Sequence, residues 1–253
     1  MALAVAALGT FASTSNFNPT VITLTDGAAV GEAVVVFGRK GTTITSVVDS
    51  KGNTYTQKFD VPTDANSGTG GGVFACDSLT TALVAGDTIS ITTSSTGHEA
   101  LACAFKITGK AVTYDANVVH TDETGVSPWG PLGPFTPAKA ETVLLAVSIG
   151  SNISSPTITS TNLDGVGWTK FIDFRASSND ARMAASYSLR ATNSGAESVS
   201  GTITSPSFNK HHVMLFSYSP SAAAGGGGTT GQTYPHGKKG TSPTTGQLFP
   251  RRT

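Results

Sequence analysis

Charged residues are scarce in this chain: they make up 13% of its 253 residues, whereas an average globular protein has about 25%. The 16 Lys and Arg side chains are balanced by 16 Asp and Glu, so the formal net charge is zero. A chain without an overall positive field cannot hold a phosphate backbone or an anionic membrane by general electrostatics. We therefore expect no nucleic-acid partner and no membrane partner.

Cysteine and long apolar runs are also lacking. The 2 Cys, Cys76 and Cys103, are fewer than a secreted disulfide scaffold usually has, and we predict that both are buried and reduced. The apolar N-terminal run from Ala2 to Leu8 is not preceded by Lys or Arg, so we expect no secretory signal. No apolar run approaches the roughly 20 residues that a membrane-spanning helix needs.

Alternating polar and apolar residues are plentiful. The pattern recurs in Val21 to Thr25, Thr88 to Thr92 and Leu101 to Ile107, and it is typical of strands that bury one face. Turn signals separate these runs, and the chain has 29 Gly and 12 Pro. No stretch has a convincing helical face, so the sequence predicts an all-β protein.

The chain also resembles itself at a period of about 110 residues. An aromatic residue follows a Gly turn in both copies, as Tyr55 and as Trp168. The other matched segments are Gly31 to Val36 with Ala140 to Leu145, Ile44 to Ser46 with Ile158 to Ser160, Ala75 to Leu79 with Ala185 to Leu189, Asp87 to Ile89 with Glu197 to Val199, and Phe105 to Ile107 with Phe216 to Tyr218. Cys76 aligns with Ser186 and Cys103 with Val213, so the second copy is predicted to fold without a thiol at either position. We predict that the two copies have the same strand order.

The duplication predicts two tandem antiparallel β-sandwich units, or two halves of one larger sandwich; the size of each copy favours tandem units. The expected ranges are 1–110 for the first unit and 137–220 for the second. A connecting segment at 111–136 contains prolines, which are excluded from central strands. Residues 221–253 are expected to form a Gly-rich linker and an extended, basic C-terminal arm.

No catalytic, cofactor-binding or metal-binding residues are predicted. The run from Asp49 to Asn53 lacks the spaced ligands and closing Glu of a calcium loop, and a hairpin turn with a positive-φ Gly explains it. The glycine run from Ser67 to Gly72 lacks the Lys of a phosphate loop. The 5 His are dispersed, and adjacent His211 and His212 would point to opposite faces of a strand.

Two sets of residues are candidates for binding. Trp129 and Phe135 lie in the expected connection and are predicted to be a possible surface-recognition pair. In the arm, Leu248 and Phe249 form an adjacent apolar pair that we expect to fill a pocket on a neighbouring subunit. Arg251 and Arg252 would then meet acidic groups at the rim of that pocket. The predicted docking residues are therefore Leu248, Phe249, Arg251 and Arg252.

The turn from Asp49 to Thr56 and the strand from Ala85 to Ile91 resemble motifs of β-sandwich modules in tailed-bacteriophage virion proteins and actinobacterial surface proteins. The ending from Gly246 to Arg252 is similar to the C-termini of some minor tail proteins of actinobacterial phages. The second copy departs from the turn motif, with Gly165 to Trp168 in its place.

The resemblance implies a non-enzymatic structural component of the virion, assembled in the host cytoplasm. A minor tail or fibre-type protein is expected, with other virion subunits as partners, a homo-oligomeric arrangement in the particle and possible contact with a host surface glycan. The alternatives are a capsid decoration protein and a carbohydrate-binding module, with a depolymerase as the third candidate. No cofactor is implied.

Overall fold

The computed structural model describes residues 2–13, 18–39, 43–61, 71–94, 100–122, 129–137, 141–151, 157–160, 167–175, 182–191, 197–202 and 210–221. Within these ranges the chain forms sixteen β-strands and no helix. The all-β expectation is therefore confirmed.

The first eight strands occupy residues 4 to 108 and the other eight occupy residues 112 to 220. The first set comprises β1 (Ala4–Ser13), β2 (Thr20–Thr23), β3 (Ala33–Arg39), β4 (Ile44–Asp49), β5 (Thr56–Val61), β6 (Gly71–Cys76), β7 (Thr88–Thr93) and β8 (Ala100–Thr108). The second set comprises β9 (Val112–Asp122), β10 (Trp129–Phe135), β11 (Thr142–Ser151), β12 (Thr157–Ser160), β13 (Thr169–Arg175), β14 (Arg182–Arg190), β15 (Glu197–Thr202) and β16 (Lys210–Pro220).

The two sets of strands, called repeat 1 and repeat 2 below, have the same topology. Repeat 1 has a five-stranded sheet of order β1-β8-β3-β6-β5 and a three-stranded sheet of order β2-β7-β4. Repeat 2 has the orders β9-β16-β11-β14-β13 and β10-β15-β12, which are the same orders with eight added to each strand number. All strand pairs are antiparallel. The predicted duplication of strand order is thus confirmed.

Each face of the repeat 1 five-stranded sheet packs in a different core. One face and the three-stranded sheet enclose a core that contains Val34 and Val36 of β3 and Ile89 of β7. The other face carries Val35 and Phe37, and it packs in a core shared with repeat 2. Because successive strand residues point to opposite faces, an unbroken apolar strand such as β3 is what a sheet covered on both sides requires.

The shared core joins the five-stranded sheets of the two repeats. Repeat 2 contributes Leu145, Met214 and Phe216 among others to this core. Leu144 and Leu215 lie outside the shared core yet are fully buried, so the outer face of this sheet is covered as well. The repeats are therefore two sandwiches that pack sheet against sheet.

Edge strands meet reciprocally in the shared core. Strand β1 lies against β13, and β5 lies against β9. Strand β9 is the counterpart of β1, and β13 is the counterpart of β5. The contact of β1 with β13 in one direction therefore corresponds to the contact of β9 with β5 when the two repeats are exchanged. This reciprocity is the mark of an isologous two-fold interface, here formed within one chain.

Residues 111–136, expected as a connection, contribute strands β9 and β10 to the sheets of repeat 2. The prolines that argued against strands lie in β10, an edge strand, where a missing N–H is tolerated. Only three residues of β10 pair with β15, and the register shifts fall on either side of Leu132, where Pro131 and Pro134 lie. The apolar run at the N-terminus is likewise an edge strand, β1.

The register of the predicted repeat alignment was wrong by one residue in the central strands. That alignment matched Val35 with Leu144. In the structure Val35 pairs with Phe105, and Leu145 pairs with Phe216, so Val35 corresponds to Leu145. A one-residue slip places a side chain on the opposite face of the sheet, and Leu144 does face away from the shared core.

The junction between the repeats is short and tight. Gly109 has a φ of 96°, and a Cβ at this position would collide with the carbonyl oxygen of Ala2. The backbone N–H of Ser221, at the end of the described chain, donates to the Ala111 carbonyl at 2.9 Å. Three parts of the chain therefore meet where repeat 1 passes into repeat 2, and only glycine fits at the turn.

Candidate functional site

The predicted docking residues Leu248, Phe249, Arg251 and Arg252 lie outside the described residues. Trp129 and Phe135 are the first and last residues of β10. Their backbones pair with Gly201 and Glu197 of β15. The predicted recognition pair is thus on a sheet edge of repeat 2 rather than in a connecting loop.

The turn from Asp49 to Tyr55 is built around one buried carboxylate. Asp49 Oδ1 accepts hydrogen bonds from the backbone N–H groups of Lys51 at 2.9 Å and Asn53 at 3.1 Å. Its Oδ2 accepts from Asn53 Nδ2 at 2.9 Å and from the Tyr55 hydroxyl at 3.1 Å. Four donors occupy this carboxylate, so it has no oxygen left over for a metal ion. Gly52 has the predicted positive φ, 79°. The turn joins β4 to β5, which belong to different sheets, so it is not the predicted hairpin between two neighbouring strands of one sheet.

Asn53 extends this network to the loop that follows β6. Its Oδ1 accepts from the backbone N–H groups of Thr80 and Thr81, both at 2.9 Å, and from the Thr80 hydroxyl at 3.0 Å. Its Nδ2 also donates to the Thr81 carbonyl at 3.0 Å. Asp49 and Asn53 are only 8% and 4% exposed. The two residues therefore stabilise two loops at once, which is a structural role.

Two further carboxylates at the same end of repeat 1 also form bonds within the repeat. Asp26 accepts from Lys106 Nζ at 2.8 Å and from the Gly27 N–H at 2.7 Å, and these bonds lower the pKa of Asp26. The Val84 N–H donates to Asp87 at 2.8 Å. This bond, with those from Lys51 and Ser50, lowers the pKa of Asp87. Neither carboxylate has the raised pKa that a general acid needs at neutral pH.

The two thiols lie on opposite faces of the repeat 1 sheet. Cys103 is in the shared core and Cys76 is in the other core, and both are free. An intrachain disulfide would need their Cβ atoms within about 4.5 Å, which opposite faces of a sheet do not allow. Burial raises the pKa of Cys103 to about 12 and also raises that of Cys76.

The strand pairing changes the predicted counterpart of Cys103 in repeat 2. Cys103 pairs with Phe37, and Met214 pairs with Val147, the counterpart of Phe37. Met214 is therefore the counterpart of Cys103, where the sequence alignment gave Val213. Repeat 2 packs this core position without a thiol, as predicted.

We predict that neither thiol reacts with a thiol reagent in the folded protein. With a pKa of about 12, Cys103 would be ionised in only about one molecule in ten thousand at pH 8, and the thiolate is the reacting form. Ellman's reagent should therefore find no fast-reacting thiol in native protein and two in urea without reductant. Finding no thiol in urea would contradict the reduced state.

Other features that could mark a site are few in the described part of the chain. An open groove of about 600 Å³ lies at the junction of the repeats, lined by Ala2, Ala29, Val30, Gly31, Glu32, Thr108, Gly109, Lys110 and Ala111. The charges of Lys110 and Glu32 are engaged elsewhere: Lys110 pairs with Glu141, and Glu32 accepts from the Ala29 N–H at 2.9 Å.

Over the described ranges, no three His, Cys, Asp or Glu side chains gather to hold a metal ion. The same part of the chain has no helix long and apolar enough to span a membrane.

Aromatic rings connect the two repeats at the edge where β5 meets β9. The ring of Phe59 in repeat 1 lies 5.4 Å from that of Phe216 and 6.3 Å from that of Tyr114. Tyr114 in turn meets Tyr218 edge to face at 5.9 Å. This ring cluster borders the ion pair of Lys58 and Asp77, whose atoms are 2.7 Å apart. Sequence reasoning missed it, because the cluster assembles only when the repeats pack.

Comparisons of the chain with protein-family models, with curated proteins and with solved structures found no match in any of the three.

Proposed function

We propose that this chain is a structural subunit of a tailed-phage particle, of the minor tail or fibre type, and that its C-terminal arm attaches it to neighbouring subunits. The proposal rests first on the resemblance of the Asp49 to Thr56 turn, the Ala85 to Ile91 strand and the C-terminal ending to such proteins. Its location is then the virion, and its partners are other virion subunits.

The observation that carries the proposal is the use of the polar side chains. In repeat 1, Asp49 and Asp87 are bonded to loops of their own repeat, and these bonds stiffen the turns. Two sandwiches packed through a continuous apolar core form a body suited to bearing load in a particle. Binding to partners is then left to the edges and to the arm.

The arm is the part of the chain that we assign to assembly. Residues 222–253 follow Ser221, at the junction of the repeats, and their composition cannot bury enough apolar surface to offset an ordering entropy of about 1–2 kcal/mol per backbone residue. A partner's surface would supply that burial. Leu248 and Phe249 are the apolar anchors in this proposal, and Arg251 and Arg252 orient them.

Deletion of residues 225–253 should leave a folded body that no longer joins the particle. Incorporation would be measured by immunoblot of purified particles from a host that lacks the wild-type chain, and the melting temperature would show that the body is intact. Leu248→Ala with Phe249→Ala should reduce incorporation at least tenfold, since losing two buried apolar anchors costs well over about 1.4 kcal/mol.

The matched control is Lys238→Ala with Lys239→Ala, which removes charge from the arm but leaves its apolar pair. This variant should be incorporated nearly as well as the wild type. Normal incorporation of the truncated chain would contradict the docking role of the arm. Cryo-electron microscopy of the particles would separate a tail position from a capsid position, and therefore the minor tail proposal from a decoration protein.

A further inference from the structure

Two buried polar atoms at the edge of the shared core have no partner among the described residues. Asp77 uses Oδ2 to accept from Lys58 Nζ at 2.7 Å, but its Oδ1 is buried and unpaired. The Tyr218 hydroxyl is also buried and unpaired, on a side chain with 0% exposure. Leaving a buried polar group unsatisfied costs about 1–3 kcal/mol, so native proteins rarely retain two of them together.

The two atoms approach the same place from different repeats. Asp77 follows β6 two residues after Ala75, and Tyr218 lies two residues after Phe216 in β16. Ala75 and Tyr218 both lie in the shared core, and the Asp77 carboxylate is close enough to Tyr218 to raise the pKa of its hydroxyl. The ring of Phe59, next to Lys58, lies 5.4 Å from that of Phe216. This contact holds the Lys58 and Asp77 segments of repeat 1 close to β16 of repeat 2.

The chemistry of the two groups is complementary. Burial, followed by the nearby Asp77 carboxylate and Tyr114, raises the pKa of the Tyr218 hydroxyl, so this group keeps its proton and can donate. Asp77 Oδ1 can only accept while the carboxylate is ionised. A molecule that both accepts and donates would satisfy the two atoms, and water is the smallest such molecule.

We propose that one ordered water molecule binds between Asp77 Oδ1 and the Tyr218 hydroxyl and links the two repeats across the edge of their shared apolar core. The water accepts from Tyr218 and donates to Asp77. It adds a directional contact to the apolar packing between the repeats. This site is independent of the proposed role in a particle.

The sign of a stability change tests the proposal. If the hydroxyl is bonded through water, Tyr218→Phe should lower the melting temperature by about 2–4 °C, the shift expected for one hydrogen bond in a body of this size. In an Asp77→Ala background the acceptor is gone, so the same substitution should leave the melting temperature unchanged or raise it. This double-mutant cycle isolates the link.

A rise in melting temperature for Tyr218→Phe in the wild-type background would overturn the proposal, because removing an unpaired buried hydroxyl is stabilising. The proposal would also be overturned if Tyr218→Phe changed the melting temperature equally in the wild-type and Asp77→Ala backgrounds. A high-resolution crystal structure of the wild-type chain gives an answer that does not depend on the variants folding. It should show a density peak within hydrogen-bond distance of both atoms, and a gap without density would refute the site.

Discussion

Asp49→Ala should lower the free energy of unfolding by about 3–5 kcal/mol, a large part of the 5–15 kcal/mol that holds a typical domain folded. The substitution removes the acceptor of four hydrogen bonds and leaves the Tyr55 hydroxyl and Asn53 Nδ2 with fewer partners in a buried turn. Urea denaturation followed by circular dichroism would measure the loss. Asn53→Ala should cost a similar amount, because Asn53 joins this turn to the next loop.

Asp26→Ala is the matched control. It removes the same side chain from the same end of repeat 1, but the Asp26 side chain is 57% exposed, and exposed ion pairs contribute little to stability. The urea midpoint of Asp26→Ala should be almost the same as that of the wild type. Tyr55→Phe removes one of the four donors and should cost about 1 kcal/mol. An Asp49→Ala midpoint as close to the wild type as that of Asp26→Ala would show that the network is not needed for stability.

The strand content and the duplication could be predicted because both are local properties of the sequence. Alternation identified strands such as β7 and β8, and matching turns identified the repeat. The prolines of β10 misled the prediction, since a proline excludes only a central strand and the sequence does not say which strands are edges. Strands β1, β9 and β10, which were not predicted from the sequence, are all at edges of their sheets.

The packing of the repeats could not be predicted from the sequence. An unbroken apolar strand such as β3 indicates burial on both faces, but it does not say what covers each face. A one-residue error in aligning β3 with β11 reversed the face assignment, so the alignment could not show that Val35 and Leu145 share a core. The closeness of Asp77 and Tyr218 could not be predicted either, because the two residues are far apart in the chain and meet only when the repeats pack.

Phe105→Ala should lower the free energy of unfolding of the whole body by about 3–5 kcal/mol, the usual cost of removing a buried phenyl ring. Phe105 is fully buried, and its ring meets that of Phe171 from repeat 2 at 5.4 Å. The two Trp of the chain, Trp129 and Trp168, both belong to repeat 2. Tryptophan fluorescence therefore reports on repeat 2, whereas circular dichroism reports on both repeats.

If the shared core makes the repeats unfold as one unit, fluorescence and circular dichroism should give coincident transitions that shift together in the variant. Phe74→Ala provides the contrast, because Phe74 lies in the core confined to repeat 1. A coupled body should transmit this change too, so the Trp transition should move although Phe74 is outside the shared core. A Trp transition that stays at the wild-type midpoint in Phe74→Ala, with circular dichroism splitting into two steps, would show that the repeats are separate folding units. The shared core would then be a docking interface between two domains, and Phe105→Ala would weaken that interface without unfolding either repeat.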